Sequence, residues 1–236
     1  MIEFKTKAKP KPAPSSLPEV ARRYLDHAIA CGTPPAKTVK LCMRGEIKLR
    51  GWAHFEATET IEKDRRMIWK AKTKLLGLPI KGFDKVELGY GHCEWKLFGL
   101  LPIVSARGKD VSRSAVGRMA AESIWLPSVL LGDNVRWIDA GQDHARFAIE
   151  LFGHETEVTL GLSPNGRIET ISFMRWGNPN GEPFGFYPFG GYVDEETTFE
   201  GFTIPTRLRL GWHFGTGRFE TDGEFFRATV DAAEFA

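Results

Sequence analysis

The chain has few cysteines, no long apolar run and none of the short motifs that mark a nucleotide-binding or hydrolytic enzyme. Cys31, Cys42 and Cys93 are the only cysteines among 236 residues, an odd number with no Cys-x-x-Cys step. A zinc site of four sulfurs is therefore excluded, and a disulfide framework is not expected. Cys42 and Cys93 fall in strand-like stretches, where small buried or half-buried thiols are expected. No run of about 18 apolar residues occurs, so no transmembrane helix is encoded. Residues 1–16 carry Lys5, Lys7, Lys9 and Lys11 among prolines, without an apolar segment. They read as a flexible basic arm rather than a secretion signal. A cytoplasmic location is the expectation, with a weak electrostatic contact to an anionic membrane surface as one use of the arm.

Motifs are equally sparse. There is no Gly-x-Ser-x-Gly elbow and no Walker A loop, and the steps at Gly89-Tyr-Gly91 and Gly215-Thr-Gly217 lack the third glycine of a dinucleotide turn. No cofactor is expected. No helix-turn-helix or RNA-binding signature accompanies the lysines, so nucleic acid is not an expected partner. The pattern carries no signal for an oligomeric state.

What the chain does have is an uneven charge. Its 32 Lys plus Arg nearly balance 30 Asp plus Glu, for a net charge of +2. Residues 1–118 hold 24 basic and 12 acidic side chains, whereas residues 119–236 hold 8 and 18. All fifteen lysines lie in the first part. Either the two parts neutralise one another in the fold, or one face is basic and open to an anionic partner.

Periodicity supplies the architecture. Residues 17–31 read as a helix: Ser16 and Glu19 form a capping box, Pro18 sits in the first turn, and Gly32 supplies the stop. Val20, Tyr24 and Leu25 mark its apolar stripe. From 39 to 49 odd positions are apolar, except Gly45, and even positions are charged, except Cys42. That is a half-buried strand, with Gly45 suited to a bulge or bend. The parity continues through 53–61 and 67–75, and further strands are expected near 83–90, 92–98 and 103–107. Residues 110–131 then switch to helical spacing, capped by Ser112 or Ser114 and interrupted by Pro127. Strands resume at 135–139, 145–152, 155–162, 167–176, 193–201, 207–214 and 218–230, with a hairpin turn at Pro164-Asn165-Gly166. Residues 177–191 read as an aromatic loop, carrying Phe184, Phe186, Tyr187 and Phe189, that serves as a lid or seals one end. The fold class is mainly β. A long curved antiparallel sheet, a half-barrel or open barrel, carries an N-terminal helix and a mid-chain helical plug, in one domain over 17–236.

A set of landmarks in order adds a resemblance. Arg44-Gly45 is followed by Phe55 and Ala57, by Trp69 and Ala71, and by Leu-Pro-Ile-Val-x-x-x-Gly at 101–108. Glu-Ser-Ile-Trp-Leu-Pro-Ser-Val-Leu-Leu at 122–131 and Trp137 complete it. From residue 17 to the C-terminus the chain resembles a bacterial family catalogued as a domain of unknown function. The fold this implies is similar to that of the periplasmic lipoprotein carriers, a curved sheet around a helical plug enclosing an apolar cavity. The family implies no reaction and no catalytic residues.

The candidate binding residues follow from parity. Phe55, Ala57, Trp69 and Ala71 face inward with Trp125, and Phe186 closes the space from the aromatic loop. Glu59 shares that inward parity, and a buried carboxylate must be paired or protonated. Glu122 is a second such acid, with Arg107 and Arg118 as candidate partners. His54-Phe-Glu56 and His92-Cys-Glu94 place imidazole and carboxylate side by side, which two adjacent strands could turn into a metal site. These even positions belong to the solvent face with the lysines, and no metal is expected. The leading expectation is a binding module for a small hydrophobic or amphipathic, lipid-like ligand held between sheet and helix. Two alternatives stand beside it. One is an enzyme using Glu59 or Glu122 as acid or base. The other is an interaction protein that docks an acidic partner through its basic strand face.

Overall fold

Alternation builds the sheet. A computed structural model describes residues 17–138 and 140–236. The expected arm at 1–16, with Ser16 of the capping box, and Asp139 lie outside the described residues. β1 (Thr38–Lys48), β2 (Trp52–Glu62), β3 (Arg66–Leu75), β4 (Leu78–Glu87), β5 (Tyr90–Leu97) and β6 (Leu101–Arg107) form an antiparallel meander. On β1 to β3 the odd positions Val39, Leu41, Met43, Phe55, Met67 and Trp69 are buried, while Lys40, Lys70 and Lys72 are exposed. Period two decides this, because successive side chains leave a strand on opposite faces.

A second meander follows the helical segment. It comprises β7 (Val135–Ile138), β8 (His144–Leu151), β9 (His154–Leu162), β10 (Ile168–Gly177), β11 (Gly185–Phe199), β12 (Phe202–Trp212) and β13 (Glu224–Phe235). Among the described residues all thirteen strands belong to one sheet, in the order β6-β5-β4-β3-β2-β1-β13-β12-β11-β10-β9-β8-β7. The first and last strands are thus neighbours at its centre, and the free edges, β6 and β7, are consecutive in the chain. No strand pairing joins those edges among the described residues, so the sheet is curved and open.

The helical segment bridges them. α1 (Glu19–Ala28) lies on β8 and β12, and α2 (Lys109–Ala121) packs on β4, β5, β9 and β10. Two 3-10 turns, Glu122–Trp125 and Pro127–Leu131, continue α2 into the core. The core is one cluster shared by both meanders and both helices.

Several expectations are corrected here. α1 stops at Ala28 rather than near Gly32, because Ile29 turns extended and bridges to Phe202, while Ala30 N donates to Gly201 O at 2.9 Å. Gly45 is no bulge: it pairs in register with Phe55 and Ala228, and the β1–β13 irregularity falls between Cys42 and Met43. Glycine is needed at 45 because a Cβ there would strike the Arg227 carbonyl oxygen. Gly108 precedes α2, and Ser112 lies inside the helix, where its hydroxyl accepts from Gly91 N at 2.9 Å. Cys42 is exposed, as its even position requires. Most of the aromatic loop is strand: β11 begins at Gly185 and pairs with β10 as far as Tyr192. Its composition misleads because the backbones approach closely. A Cβ at Gly191 would collide with the Arg209 carbonyl.

The charge asymmetry resolves in part. At the central seam Arg44 meets Asp231 at 2.5 Å, Lys40 meets Glu234 at 3.7 Å and Glu46 meets Arg227 at 3.7 Å. The later acids Asp194, Glu195 and Asp222 pair instead with arginines of their own meander, Arg207 and Arg218. Lys70, Lys72 and Lys74 have no ion-pair partner among the described residues.

Candidate functional site

Three adjacent strands set a row across the concave face. Register pairs Glu59 on β2 with Trp69 on β3, and Trp69 with Asp84 on β4. Above the row lies the end of α2, where Arg118 and Glu122 stand one turn apart on the same helix face. Arg118 uses all three of its nitrogens. Nε donates to Glu122 Oε1 at 2.5 Å, one terminal nitrogen to Glu59 Oε1 at 3.2 Å, and the other to Asp84 Oδ2 at 3.4 Å. Its guanidinium carbon also sits 5.5 Å from the Trp69 ring centre.

Beside this cluster is a cavity of about 130 Å³ between α2 and the inner faces of both meanders. Trp125, Ile171, Phe173, Phe189, Leu210 and Phe226 give it apolar walls, and Glu59, Asp84, Arg118, Glu122 and Arg175 form its polar side. Ile47, Phe225 and Phe226, all half-buried, also belong to its lining. Trp125 Nε1 is satisfied by Pro205 O at 3.0 Å, which fixes the indole as a wall.

The electrostatics are unusual in two places. Burial, and then the neighbouring charge of Glu122, push the Glu59 carboxyl well above the usual carboxylate range, with Arg118 opposing. Glu59 therefore holds its proton more tightly than an exposed glutamate does. Arg175, on β10, stacks on Phe189 at 4.6 Å and Trp212 at 5.2 Å. No carboxylate contacts it among the described residues. Burial and the like charge of Arg118 pull its pKa down to about 10. Buried polar atoms are normally satisfied. At this cavity the protonated Glu59 carboxyl shares a hydrogen bond with Glu122, whereas Trp69 Nε1 and Arg175 Nε lack a hydrogen-bond partner among the described residues.

The expected residues divide accordingly. Glu59, Trp69, Glu122 and Trp125 line the cavity. Phe55 backs it, edge-on to Trp69 at 5.6 Å and stacked on Phe226 at 5.1 Å. Ala57 and Ala71 face each other across β2 and β3, buried in the core but outside the lining. Arg107 does not reach the site; it is exposed on edge strand β6, opposite His92. Phe186 does not close it either. Strand alternation turns its ring outward, against Trp176 at 5.2 Å and under the Arg113 guanidinium at 4.6 Å, and Phe189 supplies the wall instead. The two His-x-Glu steps sit on β2 and β5, separated by two strands. Cys93 is no poised nucleophile, since burial and Asp84 push its thiol upward.

Arg175 and Asp84 were not foreseen. Each carries a signal in its own strand: Arg175 shares parity with the buried Ile171 and Phe173, and Asp84 with Ile80 and Val86.

Comparison with known proteins adds the following. The profile of a family of unknown function (DUF6920) matches residues 15–235. No curated protein matches the chain. A LolA superfamily protein from Nitrosomonas europaea is similar in structure, with a TM-score of 0.49, 9% identity and 92% of each chain covered. A domain described as an outer membrane lipoprotein-sorting protein, from Vibrio parahaemolyticus, gives a TM-score of 0.45 at 8% identity, covering 92% of this chain and 91% of that one. Among the described residues no helix is long and apolar enough to cross a membrane.

Proposed function

Because the chain belongs to a family of unknown function, DUF6920, we propose its role from the cavity itself: it binds a small amphipathic molecule with an anionic head and an apolar tail. The observation that carries this reading is Arg175, whose guanidinium stacks on aromatic rings at the cavity. It has no ion-paired or hydrogen-bonded acid among the described residues, only the more distant charges of Glu122 and Asp84. Arg118 is not equivalent, because Glu59, Glu122 and Asp84 already surround it. A buried charge without a direct partner is costly and is relieved by a counter-ion in contact with it. A carboxylate head entering the cavity supplies that counter-ion, and Trp69 Nε1 offers a second donor. The tail lies against Trp125, Phe173 and Phe226. Common ligand pockets are about 300–1,000 Å³, so 130 Å³ admits a short chain as it stands. A longer tail has to part Ile47 and Phe225.

Octanoate, octanol and octylamine share a tail and differ in head group, so titrating each against tryptophan fluorescence tests the reading. Octanoate is expected to bind at least tenfold more tightly than the other two, and Arg175→Met to remove that preference. Equal binding of all three, or an Arg175→Met chain that still prefers octanoate, overturns it. The fold of Arg175→Met is checked by urea unfolding, where stability is expected to hold or to rise by about 1–2 kcal/mol because an unpaired buried charge is gone.

A further inference from the structure

In a meander every second turn falls at the same end. The turns at 49–51, 76–77 and 98–100, which join β1 to β2, β3 to β4 and β5 to β6, therefore share one end of the first meander. Each is tipped with bare apolar side chains. Leu49 and Trp52 are exposed on the first turn, Leu76 (72%) and Leu78 on the second, and Phe98, Leu100 (79%) and Leu101 on the third. A folded chain seldom leaves so many large apolar groups uncovered together. The three segments 47–52, 72–81 and 96–104 also contain Lys48, Arg50, Lys72, Lys74, Lys81 and Lys96, and no acidic residue. Of these cations, Lys96 alone is engaged in an ion pair among the described residues, with Glu94 at 2.8 Å. A broad open groove of about 1340 Å³ runs between the first two tips, with Arg50, Lys72, Lys74 and Lys81 among its walls and Glu46, Glu56 and Asp194 elsewhere in its lining.

We propose that these three hairpin tips dock the protein onto an anionic lipid bilayer, the apolar tips entering the head-group boundary and the flanking cations meeting lipid phosphates. Two features select this occupant. Apolar tips interleaved with lysine match a boundary that is apolar below and negative above, which is how interfacial protein segments bind. The acids Glu182, Glu220 and Asp222, on connections of the second meander at the same end of the sheet, are already paired with Arg218 and Arg209, so they leave the cations of the tips unanswered. The proposal rests on topology and surface chemistry and stands whether or not the cavity holds a ligand.

The test is co-flotation of the full chain with vesicles of phosphatidylcholine, with or without about 30% phosphatidylglycerol. The wild-type chain is expected to float with the mixed vesicles, to stay behind with the neutral ones, and to be released as salt rises. Leu76→Ser with Leu100→Ser, and separately Lys72→Glu with Lys74→Glu, are each expected to lower binding at least tenfold. All four positions are exposed, and unchanged thermal unfolding verifies that the variants fold. Equal binding to both vesicle types overturns the proposal. So does binding that ignores both tip variants and is lost when Lys5, Lys7, Lys9 and Lys11 become glutamine. Self-association abolished by the leucine variant, without any vesicle binding, also overturns it and makes the tips a contact between copies.

Discussion

The two meanders share one core yet meet solvent in opposite ways. In the first, hairpin tips project bare leucines among lysines of which, among the described residues, Lys96 alone is ion-paired. In the second, connections are tied to one another: Arg218 bridges Glu182 and Asp222, each at 3.1 Å, and Asn180 Nδ2 donates to Asp222 at 3.4 Å. The helical plug distinguishes them as well. It holds the first meander by charge, through Arg118 to Glu59 and Asp84, and the second by packing, through Trp125 against β12. A folded core needs no difference of this kind, since ties or polar turns suit either half. The difference teaches where stability and surface chemistry are separated in this chain.

The sharpest way to break that comparison is at the packing contact. Trp125→Ala removes a fully enclosed indole and leaves the Pro205 carbonyl without its donor. A loss of about 3–5 kcal/mol is expected in urea unfolding, with little dependence on pH. The charged contact answers differently. Because the folded-state pKa of Glu59 lies above its ordinary value of 4.5, the folded chain binds more protons than the unfolded chain between those two values. Its contribution to stability is fully present below the ordinary value and is lost as pH rises through the raised one. Glu59→Gln should therefore flatten that decline, its melting temperature gaining on the wild type toward alkaline pH. Parallel curves for the two chains would mean that Glu59 ionises freely. The smallest effects belong to the surface. Arg44→Ala cuts an exposed seam pair and should cost less than about 1 kcal/mol, and Leu76→Ser should change stability by no more than about 0.5 kcal/mol.

The inner face of the first meander was legible from parity alone, because one face of β1 to β3 is buried and the other charged. That same parity brought Glu59 and Trp69 to the site, and helical spacing brought Arg118 and Glu122 to one face of α2. Arg175 and Asp84 were missed because a charged residue in an alternating run is read as outward by habit, although Ile171 and Phe173 fix the opposite orientation. Phe186 was misassigned for a different reason. Glycines at 185, 190 and 191 suggest a loop, whereas here they let neighbouring strands approach. Arg107 could not be placed by pattern, since nothing in β6 reveals that it is an edge. The meeting of β1 with β13 is a contact across almost the whole chain, beyond the reach of any local period.

That meeting has a consequence for how the protein is made. On a ribosome β1 emerges early, and its partner on one side, β2, follows at once. Its other partner is β13, the last of the described strands. Until β13 arrives, both β1 and β12 present open edges, and the two meanders are separate sheets sharing only the plug between them. Pairings so distant in sequence form slowly, and open edges recruit other chains. Newly made copies should therefore be most vulnerable to aggregation until β13 has emerged, and removal of residues 224–236 should hold the protein permanently in that state.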